Sequence, residues 1–209
     1  EGHSTDYQTK IKLKELIELG HSVLLADFNE VGSIKEDNIN SLSCLALDID
    51  SKENPIKLKD MIELVKNKFD ITPKIYYCTF SDENEFKFRL IYRLQEPVDV
   101  ETYKILYKAM AWKLGKYIDN QTVNPNRIWA GTNKKVILNE DDEPITFEII
   151  VKLVKSYSNK IKREDKKKGY DGRIQSLHDI TSPLGERISK NCANFSAASF
   201  STFAKISSK

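Results

Sequence analysis

The sequence predicts an α/β domain, and three observations carry that reading. Apolar residues recur at helical spacing over 57–69 and 100–117. Two strand-like runs, 74–81 and 86–94, flank a short acidic turn and read as a hairpin. A third apolar run, Leu45-Ala46-Leu47-Asp48-Ile49-Asp50, reads as a strand that ends in two carboxylates.

The helices and strands follow in order. Leu13, Leu16 and Ile17 give a first helix over 9–19, with Gly20 as its C-cap. Val23 to Ala26 is a strand, and residues 29–41 are a polar loop. After the acidic strand, Leu58, Met61, Ile62, Val65 and Phe69 form one apolar stripe, which is core. Phe88, Leu90, Tyr92 and Leu94 share one face of the second hairpin strand. Lys87, Arg89 and Arg93 share the other with Ile91. That basic stripe is either the solvent side of an antiparallel sheet or an anion-binding surface. Asp99 N-caps the next helix. A polar loop, 120–127, then leads to a strand at Ile128–Gly131 and another at Lys134–Leu138. A last helix is expected over 147–162.

Length and composition suit one domain at 5–160, with 161–209 a charged linker and a small element or tail. The 209 residues carry a net charge of +2 and are 40% hydrophobic, enough for a sizeable core. The Lys- and Arg-rich carboxyl-terminal part permits nucleic acid as a partner. Cys44, Cys78 and Cys192 are scattered, odd in number and without zinc spacing, so zinc is not expected. They point to a reducing, cytoplasmic setting, with Cys44 and Cys78 as buried thiols. No apolar run has the length of a membrane span, and no membrane association is expected.

Asp48 and Asp50 point to one face, with Cα atoms about 6.6 Å apart. Two ionised carboxylates at that range repel by roughly 2–3 kcal/mol at an effective dielectric near 20. A divalent cation relieves that repulsion, since Mg²⁺ takes one or two carboxylates and completes its shell with water and phosphate oxygens. The bland alternative is one turn-capping Asp and one solvated Asp.

Three motifs stand in sequence order: Asp48-Ile-Asp50, then Lys87-Phe-Arg89, then Ile118-Asp119 followed by Asn-Pro-Asn-Arg127-Ile-Trp129. The set resembles the catalytic core of the archaeo-eukaryotic primase superfamily, the primase-polymerases, in the branch of phage and plasmid replication proteins. The Thr79-Phe-Ser81 hairpin resembles that branch too, and the resemblance covers residues 10 to 150. It implies a sheet like that of an RNA-recognition motif, mixed or antiparallel and flanked by helices, with an amino-terminal αβ unit. It also implies a DNA-dependent nucleotidyltransferase that makes or extends primers. Asp48, Asp50 and Asp119 would hold one or two Mg²⁺ or Mn²⁺ ions. Lys87, Arg89 and Arg127 would clamp a nucleoside triphosphate, NTP or dNTP, with Thr79 and Ser81 as neutral donors. Single-stranded DNA is the implied template, with Lys134 and Lys135 against its backbone. A helicase, fused or separate, is the implied partner.

The chain departs from the superfamily pattern at the second motif, where Arg89 stands in place of a histidine. Arginine keeps the phosphate-binding role and loses any titration near pH 7. Other roles stay open at this level. Arg127 could instead pair with Asp119 or Asp50. Trp129 and Tyr92 could stack on a base or belong to the core. Lys134 and Lys135 could be solvated turn residues. Two rival functions share part of the pattern: a non-catalytic replication-initiator domain that binds origin or single-stranded DNA, and a metal-dependent nuclease.

Overall fold

A computed structural model describes residues 9–29, 33–50, 54–119 and 122–167. The chain divides into two units, Glu1–Tyr157 and Ser158–Lys209. The expected tail lies outside the described residues from 168 onward.

The first unit is built on a five-stranded antiparallel sheet. In chain order its strands are β2 (Asp27–Phe28), β3 (Ile39–Asp50), β4 (Ile75–Cys78), β5 (Lys87–Val98) and β7 (Ile137–Leu138). Their order across the sheet is β2-β3-β5-β4-β7. β1 (Val23–Leu24) and β6 (Ile128–Trp129) form a separate two-stranded ribbon. The helices are α1 (Thr9–Glu18), α2 (Leu58–Phe69), α3 (Val100–Leu114) and α4 (Phe147–Lys167).

β5 lies between β3 and β4 and runs antiparallel to both, so β3-α2-β4 is a split βαβ unit. A second one interlocks with it. β5 leads through α3 to Ile118, which bridges Ile49 on the far side of β3. The α/β class, the antiparallel sheet and the flanking helices agree with the sequence reading.

Side-chain alternation on β3 and β5 divides the core in two. Leu45, Leu47 and Ile49 pack with Phe88, Leu90 and Tyr92 against α2, α3 and α4. All six are fully buried, each contributing roughly 1.5–3 kcal/mol. On the opposite face Ala46, Ile75, Tyr77 and Ile91 pack with Ile17, Val23, Trp129 and Val136. This second core stops short of the ends of β3 and β5. There the same face carries Asp48, Asp50, Lys87 and Arg89.

Local chemistry sets the element ends. Asp99 caps α3 by accepting from the Thr102 N–H at 2.7 Å. Gly20 follows α1 at φ 86°, as a C-cap does. Gly131 is required by close approach. A Cβ there would stand 2.6 Å from backbone atoms of Ile17, Gly20 and His21. That approach lets the Thr132 N–H donate to the Ile17 carbonyl at 2.8 Å, tying the turn after β6 to the end of α1.

Several boundaries differ from expectation. β3 begins at Ile39 rather than Leu45, because Asp27 and Phe28 pair with its first half. β7 is shorter than expected, Ile137–Leu138 only. Leu16, expected on the inner stripe of α1, is exposed. The hairpin loop spans 79–86, longer than the expected turn. α4 continues to Lys167, so the first residues of the expected linker are helical. Lys, Arg and Glu favour helix there, and Lys160 pairs with Glu164 at 3.4 Å.

Candidate functional site

Register brings the motif residues together. Asp48 is directly opposite Arg89, and Asp50 is opposite Lys87. Tyr77 is opposite Arg89 on the other side of β5. The Ile49–Ile118 bridge sets Asp119 opposite Asp48, and the Asp119 N–H donates to the Asp48 carbonyl at 3.2 Å. Directly opposed residues share a face. Tyr77, Arg89, Asp48 and Asp119 therefore form one row across four adjacent segments. Thr79, Lys87 and Asp50 form the next, with the Thr79 N–H donating to the Lys87 carbonyl at 2.9 Å.

The row is electrostatically paired. Arg89 Nε stands 3.4 Å from Asp48 Oδ1, and Arg127 Nη2 stands 3.4 Å from Asp48 Oδ2. Lys87 Nζ donates to Asp50 Oδ2 at 2.7 Å. Arg93, the third base of the stripe, pairs with buried Asp142 at 3.0 Å, and Lys74 reaches the same carboxylate at 3.1 Å. The basic face of β5 is thus matched, base by base, with acids. Arg127 pairs with Asp48, a partner the sequence had not offered.

Arg89 is fixed from several sides. It donates through Nη1 to the Ala130 carbonyl and to the Tyr77 hydroxyl at 3.4 Å. Its guanidinium lies 5.6 Å from the Trp129 ring centre and 5.8 Å from that of Tyr77. Arg127 lies over the same indole at 5.4 Å. Trp129 is 2% exposed, so it belongs to the core beneath the two arginines and not to a base-stacking surface. Tyr92 is fully buried on the helix side and cannot stack on a base either.

Burial pushes the Asp48 carboxyl above the ordinary carboxylate range. Arg89 and Arg127 oppose that rise, and the nearby charge of Asp119 adds to it. The backbone at Asp119 is anchored through its carbonyl, which accepts from the Tyr107 hydroxyl at 2.9 Å and the Thr122 hydroxyl at 2.8 Å. Burial raises the Tyr107 phenol to about 12, so it stays a donor throughout the physiological range. Tyr107 carried no motif signal. Its place on α3, one turn after Tyr103, was the available clue.

The hairpin loop owes its shape to Asp82, which sequence reasoning passed over as a turn residue. Its buried carboxylate accepts from the main-chain N–H groups of Glu85, Phe86 and Lys87 at 2.8, 2.9 and 2.9 Å. Burial pushes its pKa up, but those three donors and Lys134 hold it below the ordinary value. Lys134 donates to the Asp82 carbonyl and stands 3.7 Å from its carboxylate. Lys134, expected at the template, has its ammonium against the hairpin in this structure, with its side chain 32% exposed. Lys135 is exposed, and its charge is felt at Glu18. Ser81 is exposed in the loop. The Thr79 hydroxyl oxygen is buried and has no hydrogen-bond partner among the described residues. Cys44 and Cys78 are free thiols raised by burial to about 12 and about 11.

Among the described residues no three His, Cys, Asp or Glu side chains gather closely enough to hold a metal ion between them. Asp48 and Asp119 nonetheless sit opposite each other, with Asp50 two residues along the same face. That donor set fits a cation held by one or two carboxylates and completed by water and phosphate, not an all-protein cage. Among the described residues no helix is long and apolar enough to cross a membrane.

Comparison with known proteins adds the following. No curated protein matches the chain. The solved AEP domain of the primase-polymerase from cyanophage S-2L is similar at a TM-score of 0.49 and 13% sequence identity. The similarity covers 70% of this chain and 77% of that one. A family model for the VapE N-terminal domain matches residues 24–159, from β1 into α4, a span that holds every motif residue above. The chain belongs to the VapE N-terminal domain family.

Proposed function

We propose that this domain is a DNA-dependent nucleotidyltransferase of the archaeo-eukaryotic primase type. It makes or extends primers on single-stranded DNA in the replication of phages, plasmids or related elements. The observation that supports this most is the Asp119–Asp48–Arg89 row, closed by Arg127 on Asp48. It sets two carboxylates beside two guanidinium groups at one end of the sheet, as nucleotidyl transfer from a triphosphate to a 3′-hydroxyl, with pyrophosphate leaving, needs.

In this reading Asp48 and Asp119, joined by Asp50, would hold Mg²⁺ or Mn²⁺. The cation, when bound, supplies neutralisation of phosphate charge and activation of the primer 3′-hydroxyl. Arg89 presents its guanidinium at a place fixed by Ala130, Tyr77 and Trp129. It therefore binds phosphate oxygens without first having to be ordered. Arg127 and Lys87 add two further cationic donors, and the Thr79 hydroxyl a neutral one. Asp48 orients both arginines. The template lies along the exposed rim, held through its backbone with Lys135 as a contact, and a helicase, fused or separate, supplies single strand.

The test is incorporation of labelled nucleotides on single-stranded templates, primed and unprimed, with Mg²⁺ or Mn²⁺. Product whose length follows the template supports the reading. Absence of product from folded protein with both metals and with both NTPs and dNTPs would overturn it. One observation favours a second reading, a non-catalytic DNA-binding domain: Asp48 and Asp50 are already paired with bases. Thermal stability separates the two. A nucleotidyltransferase is stabilised most by Mn²⁺ and dNTP together, by mass action, whereas a DNA binder ignores both.

A further inference from the structure

The two arginines on Asp48 are not held alike. Arg89 has Asp48, the Tyr77 hydroxyl, the Ala130 carbonyl and two aromatic rings around it, and its side chain is 12% exposed. Arg127 is 33% exposed, and its guanidinium meets one carboxylate oxygen at 3.4 Å and the outer part of the site over Trp129. Lys87 holds Asp50, which is itself 47% exposed. The tightly built base is Arg89. The less enclosed bases are Arg127 and, at 20% exposed, Lys87.

These two bases stand on the carboxylate oxygens that a cation would need. A divalent ion arriving alone must displace a guanidinium or an ammonium into water, losing an ion pair that is partly shielded from solvent. A triphosphate arriving alone must meet carboxylates already close to its path. When both arrive together, each displaced base gains a phosphate partner while the cation takes over its carboxylate. The exchange then leaves no charge unpaired.

We infer that Arg127 and Lys87 act as displaceable counter-ions that make the site accept a divalent cation and a triphosphate jointly and reject either alone. The inference rests on the nucleotide-binding reading above and specifies its ligand: the metal–triphosphate complex, not the free metal or the free nucleotide. Coupling between two ligands of this kind is typically 5- to 150-fold, and it is reciprocal.

Isothermal titration with Mn²⁺ alone, dATP alone under chelator, and Mn²⁺ in the presence of dATP measures this directly. In the unsubstituted protein the site affinity for Mn²⁺ should rise on the order of ten-fold or more with dATP, after correction for Mn²⁺ binding to dATP in solution. Arg127→Gln should do the unusual thing and bind Mn²⁺ alone more tightly, by about five-fold or more, while losing most of the coupling. Lys87→Gln should act in the same direction through Asp50. Arg93→Gln removes a base from the same strand face but leaves Asp48 and Asp50 untouched, so its Mn²⁺ affinity should not change. Circular dichroism on each variant confirms that folded protein is being titrated, and the exposed Arg127 makes that variant the safer of the two. If Mn²⁺ with dATP binds the unsubstituted protein but Arg127→Gln and Lys87→Gln leave the affinity for Mn²⁺ alone unchanged or lower, the counter-ion role is overturned and nucleotide binding stands. If Arg93→Gln tightens Mn²⁺ binding equally, the effect is one of net charge and the inference also fails. If dATP binds under no condition, the nucleotide reading itself falls.

Discussion

Arg89 stands directly across the sheet from Asp48, with Nε 3.4 Å from Oδ1. The pairing explains how an arginine is tolerated at a position 12% exposed: its charge has a carboxylate, a carbonyl, a hydroxyl and two ring faces. Arg89→Ala removes a charge-assisted donor worth roughly 1.5–3 kcal/mol, about ten- to a hundred-and-fifty-fold in triphosphate affinity. Equilibrium binding of a fluorescent dNTP checks this. Arg89→His should recover part of the affinity, more so below about pH 6.5, where imidazole is charged. Unchanged affinity in folded Arg89→Ala protein would remove Arg89 from the site.

Asp48→Ala with Asp50→Ala should reduce nucleotide incorporation to background. From sequence alone, deleting two adjacent carboxylates relieves a repulsion and should stabilise. The structure reverses that sign. Both acids are paired, and their loss takes a carboxylate away from Arg89 and from Lys87, whose side chains are 12% and 20% exposed. A stability loss of about 1–3 kcal/mol is expected, read as a lowered midpoint in urea unfolding. Incorporation at the unsubstituted rate would remove the two acids from catalysis.

Strand alternation made much of this site legible. Period two put Asp48 with Asp50 and Lys87 with Arg89, and β3 and β5 do place all four on one face. What period two cannot give is which strands are neighbours. Asp119 sits opposite Asp48 only because α3 carries the chain across β3, a tertiary fact with no local signature. Trp129 was ambiguous for the same reason. A short strand shows its aromatic to neither side until the ribbon with β1 fixes which face is inward. Asp82's part in shaping the loop was not legible because Asp-Glu-Asn-Glu reads only as a turn. Only the folded loop turns three N–H groups onto one of its carboxylates.

Gly131 tests how tightly the arginine platform is tied to α1. A Cβ there meets three backbone atoms at 2.6 Å, and backbone cannot rotate aside as a side-chain tip can. Gly131→Ala should push β6 away from the end of α1 and with it Trp129 and Ala130, on which Arg89 rests. Overpacking of this kind costs about 1–3 kcal/mol. The expected result is a lower melting temperature together with weaker dNTP binding measured well below that temperature. A stability loss with binding unchanged would show that Arg89 does not depend on this contact.

Asp82 gives the pH dependence. Its pKa in the fold lies below the ordinary value of 3.8, so the folded state binds fewer protons at this site than the unfolded chain. The stabilisation is fully present above 3.8, declines as pH falls below it, and is gone once pH passes below the folded value. Asp82→Ala removes the acceptor of three main-chain N–H groups, in a loop whose end also carries Lys87 and Thr79. Buried donors left unpaired cost about 1–3 kcal/mol each, less where water reaches them, so a loss of about 3 kcal/mol is expected at pH 7. Asp82→Asn keeps a neutral acceptor and should lose less. Urea unfolding at pH 7, 5, 4 and 3 checks the sign: the gap between the unsubstituted protein and Asp82→Asn should be constant from pH 7 to 5 and narrow toward pH 3. A gap that widens on acidification would mean that the folded loop favours the protonated carboxyl, and the three N–H bonds would not be what shapes the hairpin.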